Sequence, residues 1–219
     1  MRRALTFWRS SIGKKVVMGA TGIMLVAFVI LHMAGNLQFF VGAERFNAYS
    51  HLLQVDLIEL TWMLRIGLLA AVVLHVTAAV QLTRRNWAAR PVAYARITPQ
   101  VTTYAARTLR WGGAYLLLFI PYHILHFTTG TLHPAFVHGG AYSNVVIGFE
   151  RTWVALFYLG AMVVLALHLY HGAWAALRTL GVARPSPEPL KRRIALLIAV
   201  VVPVGFSLLP LSVLLGIAR

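Results

Sequence analysis

Apolar runs long enough to cross a lipid bilayer alternate along this chain with short segments of charged and mixed residues. A membrane-spanning helix needs about 20 largely apolar residues. Five stretches meet that requirement: 16–41, 60–82, 109–129, 153–177 and 194–217. They predict an all-α membrane protein whose five transmembrane helices form one bundle over residues 1–219, without internal repeat or low-complexity tract. Lys14 and Lys15 mark the start of the first span. Pro203 and Pro210 fall inside the last one, where neighbouring helices can satisfy the carbonyls they free. The basic first fifteen residues carry Trp8, and no small-residue cleavage site follows the first apolar run. They read as an uncleaved interfacial segment.

Composition agrees with a lipid solvent: 59% of residues are hydrophobic and 11% charged, with a mean hydropathy of +0.75, too apolar for a soluble domain. The chain has no cysteine, which excludes disulfides, thiolate-bound zinc and cysteine-held iron–sulfur clusters in this polypeptide. The net charge of +15 would suggest nucleic acid in a soluble protein, but here the basic residues lie between spans and set topology. Arg2, Arg3, Arg9, Lys14 and Lys15 precede the first span. Arg84, Arg85, Arg90, Arg96 and Arg107 follow the second, and Arg184, Lys191, Arg192 and Arg193 follow the fourth. Glu44, Asp56, Glu59 and Glu150, four of the five acids, fall in the segments after the first and third spans. The N-terminus is therefore expected in the cytoplasm and the C-terminus outside, with no nucleic-acid partner.

Six of nine histidines, His32, His75, His123, His126, His168 and His171, fall inside predicted spans, where an ionisable group is costly and marks a site. His51, His133 and His138 fall in outer segments and are expected to be solvated or interfacial. A helical rise of about 1.5 Å per residue puts His32 and His123 roughly 20 to 24 Å from the inner face, and His75 and His168 roughly 5 to 10 Å from it. Two histidines thus share an outer layer and two an inner one. Bis-imidazole ligation of two stacked haems needs that arrangement, with one imidazole on each side of an iron from different helices. Zinc sites instead gather their ligands locally, and hydrogen bonding between helices accounts for each histidine singly but not for the layering. Small residues recur beside the layers: Gly67, Ala71 and Ala78 around His75, Ala161, Gly172 and Ala175 around His168, and Gly35 after His32. His126 and His171, three residues after His123 and His168, are alternative ligands or hydrogen-bond partners to propionates or quinone.

Arg65, near the depth of the outer layer, suits a haem propionate or snorkels to the interface. Arg107, Arg110 and Arg178 stand at inner span ends, where inner propionates or positive-inside bias explain them. Glu59 at the outer mouth of the second span suits a proton relay for quinone chemistry or a plain outward loop acid, and Asn36 and Gln38 beyond His32 suit a quinone carbonyl or simply end the helix.

Two segments, LHMAGNLQFFVGAERFNAYSHLLQ at 31–54 and LHLYHGAWAALRTLG at 167–181, with LHVTAAVQL around His75 and PYHILHF around His123, resemble the cytochrome b subunit of succinate dehydrogenase and quinol:fumarate reductase, of the single-chain, five-helix, dihaem type. The resemblance covers essentially the whole chain. It implies two haem b groups, an inner one held by His75 and His168 and an outer one by His32 and His123. It implies a multi-pass subunit of the bacterial inner membrane, docked on its cytoplasmic side to a flavoprotein and an iron–sulfur protein that carry the FAD and the clusters. Such a subunit passes electrons between succinate and menaquinone or another quinone, has no dicarboxylate active site of its own, and can belong to a higher oligomer of the complex. A haem-free structural anchor, and a cytochrome of another quinone-linked complex such as a formate dehydrogenase or nitrate reductase, stand as alternatives. A transporter is disfavoured by the lack of repeat symmetry.

Overall fold

The computed structural model describes residues 2–89, 104–182 and 189–219. Arg90, Arg96 and Arg184, counted above among the inner basic residues, lie outside the described residues. All the regular elements among the described residues are helical. They are α1 (Arg2–Arg9), α2 (Ser11–Asn36) continued by a 3-10 turn (Leu37–Val41), α3 (Ala43–His51) continued by a π-helical turn (Leu52–Asp56), α4 (Ile58–Ala88), α5 (Tyr104–Phe127), α6 (Ala141–Glu150), α7 (Thr152–Thr179) and α8 (Pro189–Leu214).

Four of them, α2 with its 3-10 extension, α4, α7 and α8, are long and apolar enough to cross a membrane by length and composition. The five expected spans are met at that level by these four. Helix α5 has 24 residues, about 36 Å at 1.5 Å per residue, but Arg107, Arg110, Pro121, His123 and His126 dilute its apolar character and it falls short of the same measure.

The helices overrun the apolar stretches that announce them, because a helix continues through a charged turn when something satisfies its end. Helix α2 starts at Ser11, where Ser10 in an extended conformation accepts from Gly13 N at 2.8 Å, an N-cap that satisfies one orphan donor. Helix α8 runs through both prolines, and Ser207 Oγ donates to Pro203 O at 2.7 Å. The short helices α3 and α6 are not apparent in the hydropathy pattern, since neither is long enough to span. In the fold they lie against each other, tied by Tyr142 N donating to Asn47 Oδ1 at 2.9 Å and by Phe39 stacked on Tyr142 at 4.5 Å.

Helix α2 lies between α4 and α7, while α7 also carries α5 and α8. The close approaches are made over small residues: Ala71, Ala78, Ala155, Ala161, Ala195 and Ala199 are buried, as membrane helix packing requires. Large apolar side chains such as Trp62, Met63, Leu69 and Trp111 point outward, which a lipid solvent permits. The long helices run alternately. Arg85 near the end of α4 donates to Arg9 O at 2.7 Å and to Ser11 Oγ at 3.1 Å, and Arg110 near the start of α5 covers the Trp87 ring at 5.5 Å. Lys191 donates to Val182 O and Arg192 to Tyr170 Oη. The basic segments therefore share one end of the bundle, and α3, α6 and the 128–140 loop with most of the acids cap the other.

Candidate imidazole tiers between the helices

His75 of α4 and His168 of α7 approach with ring centroids 6.4 Å apart at 57°. His32 of α2 and His123 of α5 approach to 5.8 Å at 75°. Neither α4 and α7 nor α2 and α5 pack helix against helix among the described residues. Imidazoles thus meet between helices whose backbones are not closely packed on each other. With a metal–imidazole bond of about 2 Å on each side, two rings holding one metal between them stand about 6 Å apart, and both pairs have that separation.

The inner pair is anchored from α2. His75 Nδ1 lies 3.1 Å from Met18 O and 3.2 Å from Thr21 Oγ1. Thr21 spends its own proton on Val17 O at 2.7 Å, so His75 donates from Nδ1 and keeps its Nε2 lone pair for a ligand. A metal-binding histidine is commonly held this way, by a hydrogen bond through the nitrogen that does not bind. The ring fits there because position 22 is glycine: a Cβ on Gly22 would stand 3.3 Å from His75 Cε1. On the other side a Cβ on Gly113 would stand 3.8 Å from His168 Cε1, and one on Gly172, a turn beyond His168, would meet no atom within 4 Å. His168 Nδ1 is buried without a hydrogen-bond partner among the described residues, a condition that costs about 1–3 kcal/mol unless a bound group or water supplies one.

The outer pair is anchored from α7. Tyr158 Oη lies 3.3 Å from His123 Nδ1 and 3.1 Å from His126 Nδ1. His32 stacks on Phe28 at 5.3 Å and meets Phe206 of α8 at 5.5 Å. Asn36 Nδ2 donates to His32 O at 3.0 Å and reaches His32 Nε2 at only 3.4 Å. That long contact can yield to a ligand while the amide keeps its backbone bond.

Distances along two helices give the spacing of the tiers. His75 meets α2 at Thr21, about 16 Å along that helix from His32, and His123 meets α7 at Tyr158, about 15 Å along it from His168. The tiers are therefore stacked along the bundle, as their expected depths implied.

The remaining candidates are placed less centrally. His126 is buried against Phe127 and His133 and does not face His32; of the two α5 histidines, His123 makes the tier. His171 is half-buried one turn after His168. Arg65 is half-buried with its guanidinium 5.1 Å from the Trp62 ring centre. Arg107 is exposed, Arg110 covers Trp87, and Arg178 shares with Lys15, Ile12 and Thr179 a cleft of ≈ 450 Å³ at the basic end. Glu59 is exposed in a shallow cleft of ≈ 230 Å³ with Asp56, Leu57, Ile58 and Leu60. Neither Asn36, turned back on His32, nor half-buried Gln38 lines that cleft, so the three polar residues expected near a quinone are not gathered in it.

One outer histidine, expected to be solvated or interfacial, lies inside the fold. His133 is buried, with Nε2 2.8 Å from Asn144 O and Nδ1 accepting from Ala135 N at 3.1 Å, because α6 folds under the 128–140 loop. His51 and His138 are exposed, His51 beside Asp56 at 3.4 Å. The anchors Met18, Thr21 and Tyr158 and the spacers Gly22 and Gly113 escaped the sequence reading. The glycines stand in GATG and WGG within apolar runs, a pattern that shows small residues but not which ring they face. Comparison of the chain with protein-family models, curated proteins and solved structures found no match in any of the three.

Proposed function

We propose that this chain is the dihaem cytochrome b membrane-anchor subunit of a succinate:quinone oxidoreductase. The observation that carries the proposal is the convergence of four imidazoles from four helices into two pairs, at 6.4 and 5.8 Å, across intervals where the backbones do not pack. Ordinary helix packing gives no reason for histidines to meet twice in this way. In this reading α5 is the fifth span. Its charged start lies at the basic end and its two histidines face protein, which lowers the cost of polar groups in the bilayer. The basic end faces the cytoplasm of a bacterial cell and receives a flavoprotein and an iron–sulfur protein.

His75 and His168 would hold the inner haem b, and His32 and His123 the outer one. The two haems supply a one-electron relay across the bilayer between the iron–sulfur partner and a quinone. The chain's own work is to hold the paired rings opposite one another, keep His75 in its binding tautomer through Met18 O and exclude water from the tiers. Quinone, menaquinone in the dihaem enzymes this chain resembles, is expected near the outer tier and the acidic cap. Arg65 and the inner arginines Arg107, Arg110 and Arg178 are available to propionates.

The test is a pyridine haemochrome assay on the purified complex, with identification of the soluble subunits that come with it. Two haems b per chain are expected, and His75→Ala or His168→Ala should remove one and spare the other. Absence of haem would leave a structural anchor. Haem with partners other than a flavoprotein and an iron–sulfur protein of succinate chemistry would point to another quinone-linked cytochrome.

A further inference from the structure

Tyr158 is buried, with Phe119 and Phe149 set edgewise to its ring at 5.0 Å each, and its hydroxyl lies between the Nδ1 atoms of His123 and His126. A phenol has a single O–H. With its own proton used within this triad, it donates to one of these imidazoles and accepts from the other. A metal on His123 Nε2 leaves the ring proton on Nδ1, so His123 donates to Tyr158. Tyr158 then donates to His126 Nδ1, and His126 carries its proton on Nε2. The reverse order would put the proton on His123 Nε2, where no metal could then bind.

The surroundings keep this chain of bonds intact. His126 is wedged between elements: a Cβ on Gly148 of α6 would stand 3.0 Å from its Cε1, and its ring centre is 4.1 Å from that of Phe127. His133 lies 5.1 Å away, but Asn144 O and Ala135 N already engage its nitrogens, so it does not compete for Tyr158. His126 Nε2 has no hydrogen-bond partner among the described residues, so among them it is the metal end of the chain that sets its direction.

We infer that Tyr158 is the positioning residue of the outer tier: with His126 as its acceptor, it holds His123 in the tautomer that binds iron and raises the basicity of its Nε2. The inference rests on the dihaem reading above. A hydrogen bond donated by the ring nitrogen that does not bind the metal makes an imidazole a stronger donor, which favours ferric iron. Tyr158→Phe keeps the buried ring and removes only the hydroxyl.

The experiment is a redox titration of the intact complex, with the two haem waves assigned by the His75→Ala protein, which should retain the outer one. Tyr158→Phe is expected to keep both haems and to raise the outer midpoint potential alone, by up to a tenfold shift toward the reduced form, about 59 mV for one electron. His126→Phe, which removes the acceptor but leaves the hydroxyl, should shift the outer wave the same way and less, and it carries the test if Tyr158→Phe does not assemble. Unchanged potentials in a dihaem variant, or a shift of the inner wave instead, overturn the inference and leave the dihaem reading standing. A wild-type complex without haem refutes that reading and the inference with it.

Discussion

Gly22 is the point at which one methyl group separates two opposing effects. A Cβ there would stand 3.3 Å from His75 Cε1 and 3.7 Å from Nδ1, the first inside the roughly 3.5–4.0 Å of a relaxed carbon contact. Alanine therefore pushes the ring by a few tenths of an ångström and strains its bonds to Met18 O at 3.1 Å and Thr21 Oγ1 at 3.2 Å. Weakening one such bond costs about 0.5–1.5 kcal/mol, while replacing glycine within a helix gains about 0.5–1 kcal/mol. The two nearly cancel, and Gly22→Ala should unfold in detergent within about 1 kcal/mol of wild type. Leucine adds three carbons more at the place of the ring. Overpacking of that kind costs about 1–3 kcal/mol, and its easiest relief is to rotate His75 away from His168. On the proposed dihaem ligation, Gly22→Leu should therefore assemble with its outer tier intact, about 15 Å farther along α2, and bind one haem of the two expected for the wild type. Haemochrome stoichiometry and the reduced-minus-oxidised spectrum measure this directly. Two haems with an unshifted spectrum would mean that His75 does not rest on α2, and loss of both would mean that the tiers are not independent.

The outer cap offers two further tests. Phe39 is buried, stacked on Tyr142 at 4.5 Å and edgewise to Phe46 at 5.8 Å, so Phe39→Ala should destabilise by about 3–5 kcal/mol in thermal unfolding followed by circular dichroism. A loss below about 1 kcal/mol would show that the cap does not depend on this ring. Asn144 accepts from Val137 N at 2.9 Å and donates to Val137 O at 2.8 Å. Asn144→Leu removes both bonds, for about 1–3 kcal/mol, and should speed amide exchange at His133, Ala135, Phe136 and Val137 while α7 and α8 stay protected. Orientation is testable because the chain has no cysteine. With exposed Leu132 and Trp87 each changed to cysteine in turn, an impermeant maleimide should label Leu132→Cys on intact spheroplasts and Trp87→Cys only after permeabilisation, and the opposite pattern would invert the topology.

Much of this molecule is legible in its sequence because a bilayer accepts so few solutions. Lipid cannot hydrogen-bond a backbone, so each long apolar run must be helical, and four such runs form helices long and apolar enough to span. The alternation of basic and acidic segments predicts an order of the ends, and in the fold Arg85 near the end of α4 contacts Arg9 O and Ser11. The rise per residue gives each histidine an expected depth, since depth along a straight helix depends on numbering alone. Depth is one coordinate, however, and helix rotation and neighbours supply the others. Only the packed bundle turned His123 rather than His126 toward His32, set His75 on Met18 O across a glycine face, placed one phenol between two imidazoles and folded α6 beneath the loop that buries His133. Each of these contacts joins residues far apart in the chain. Periodicity within one helix carries no information about its rotation against another, which is settled where small side chains let the backbones approach.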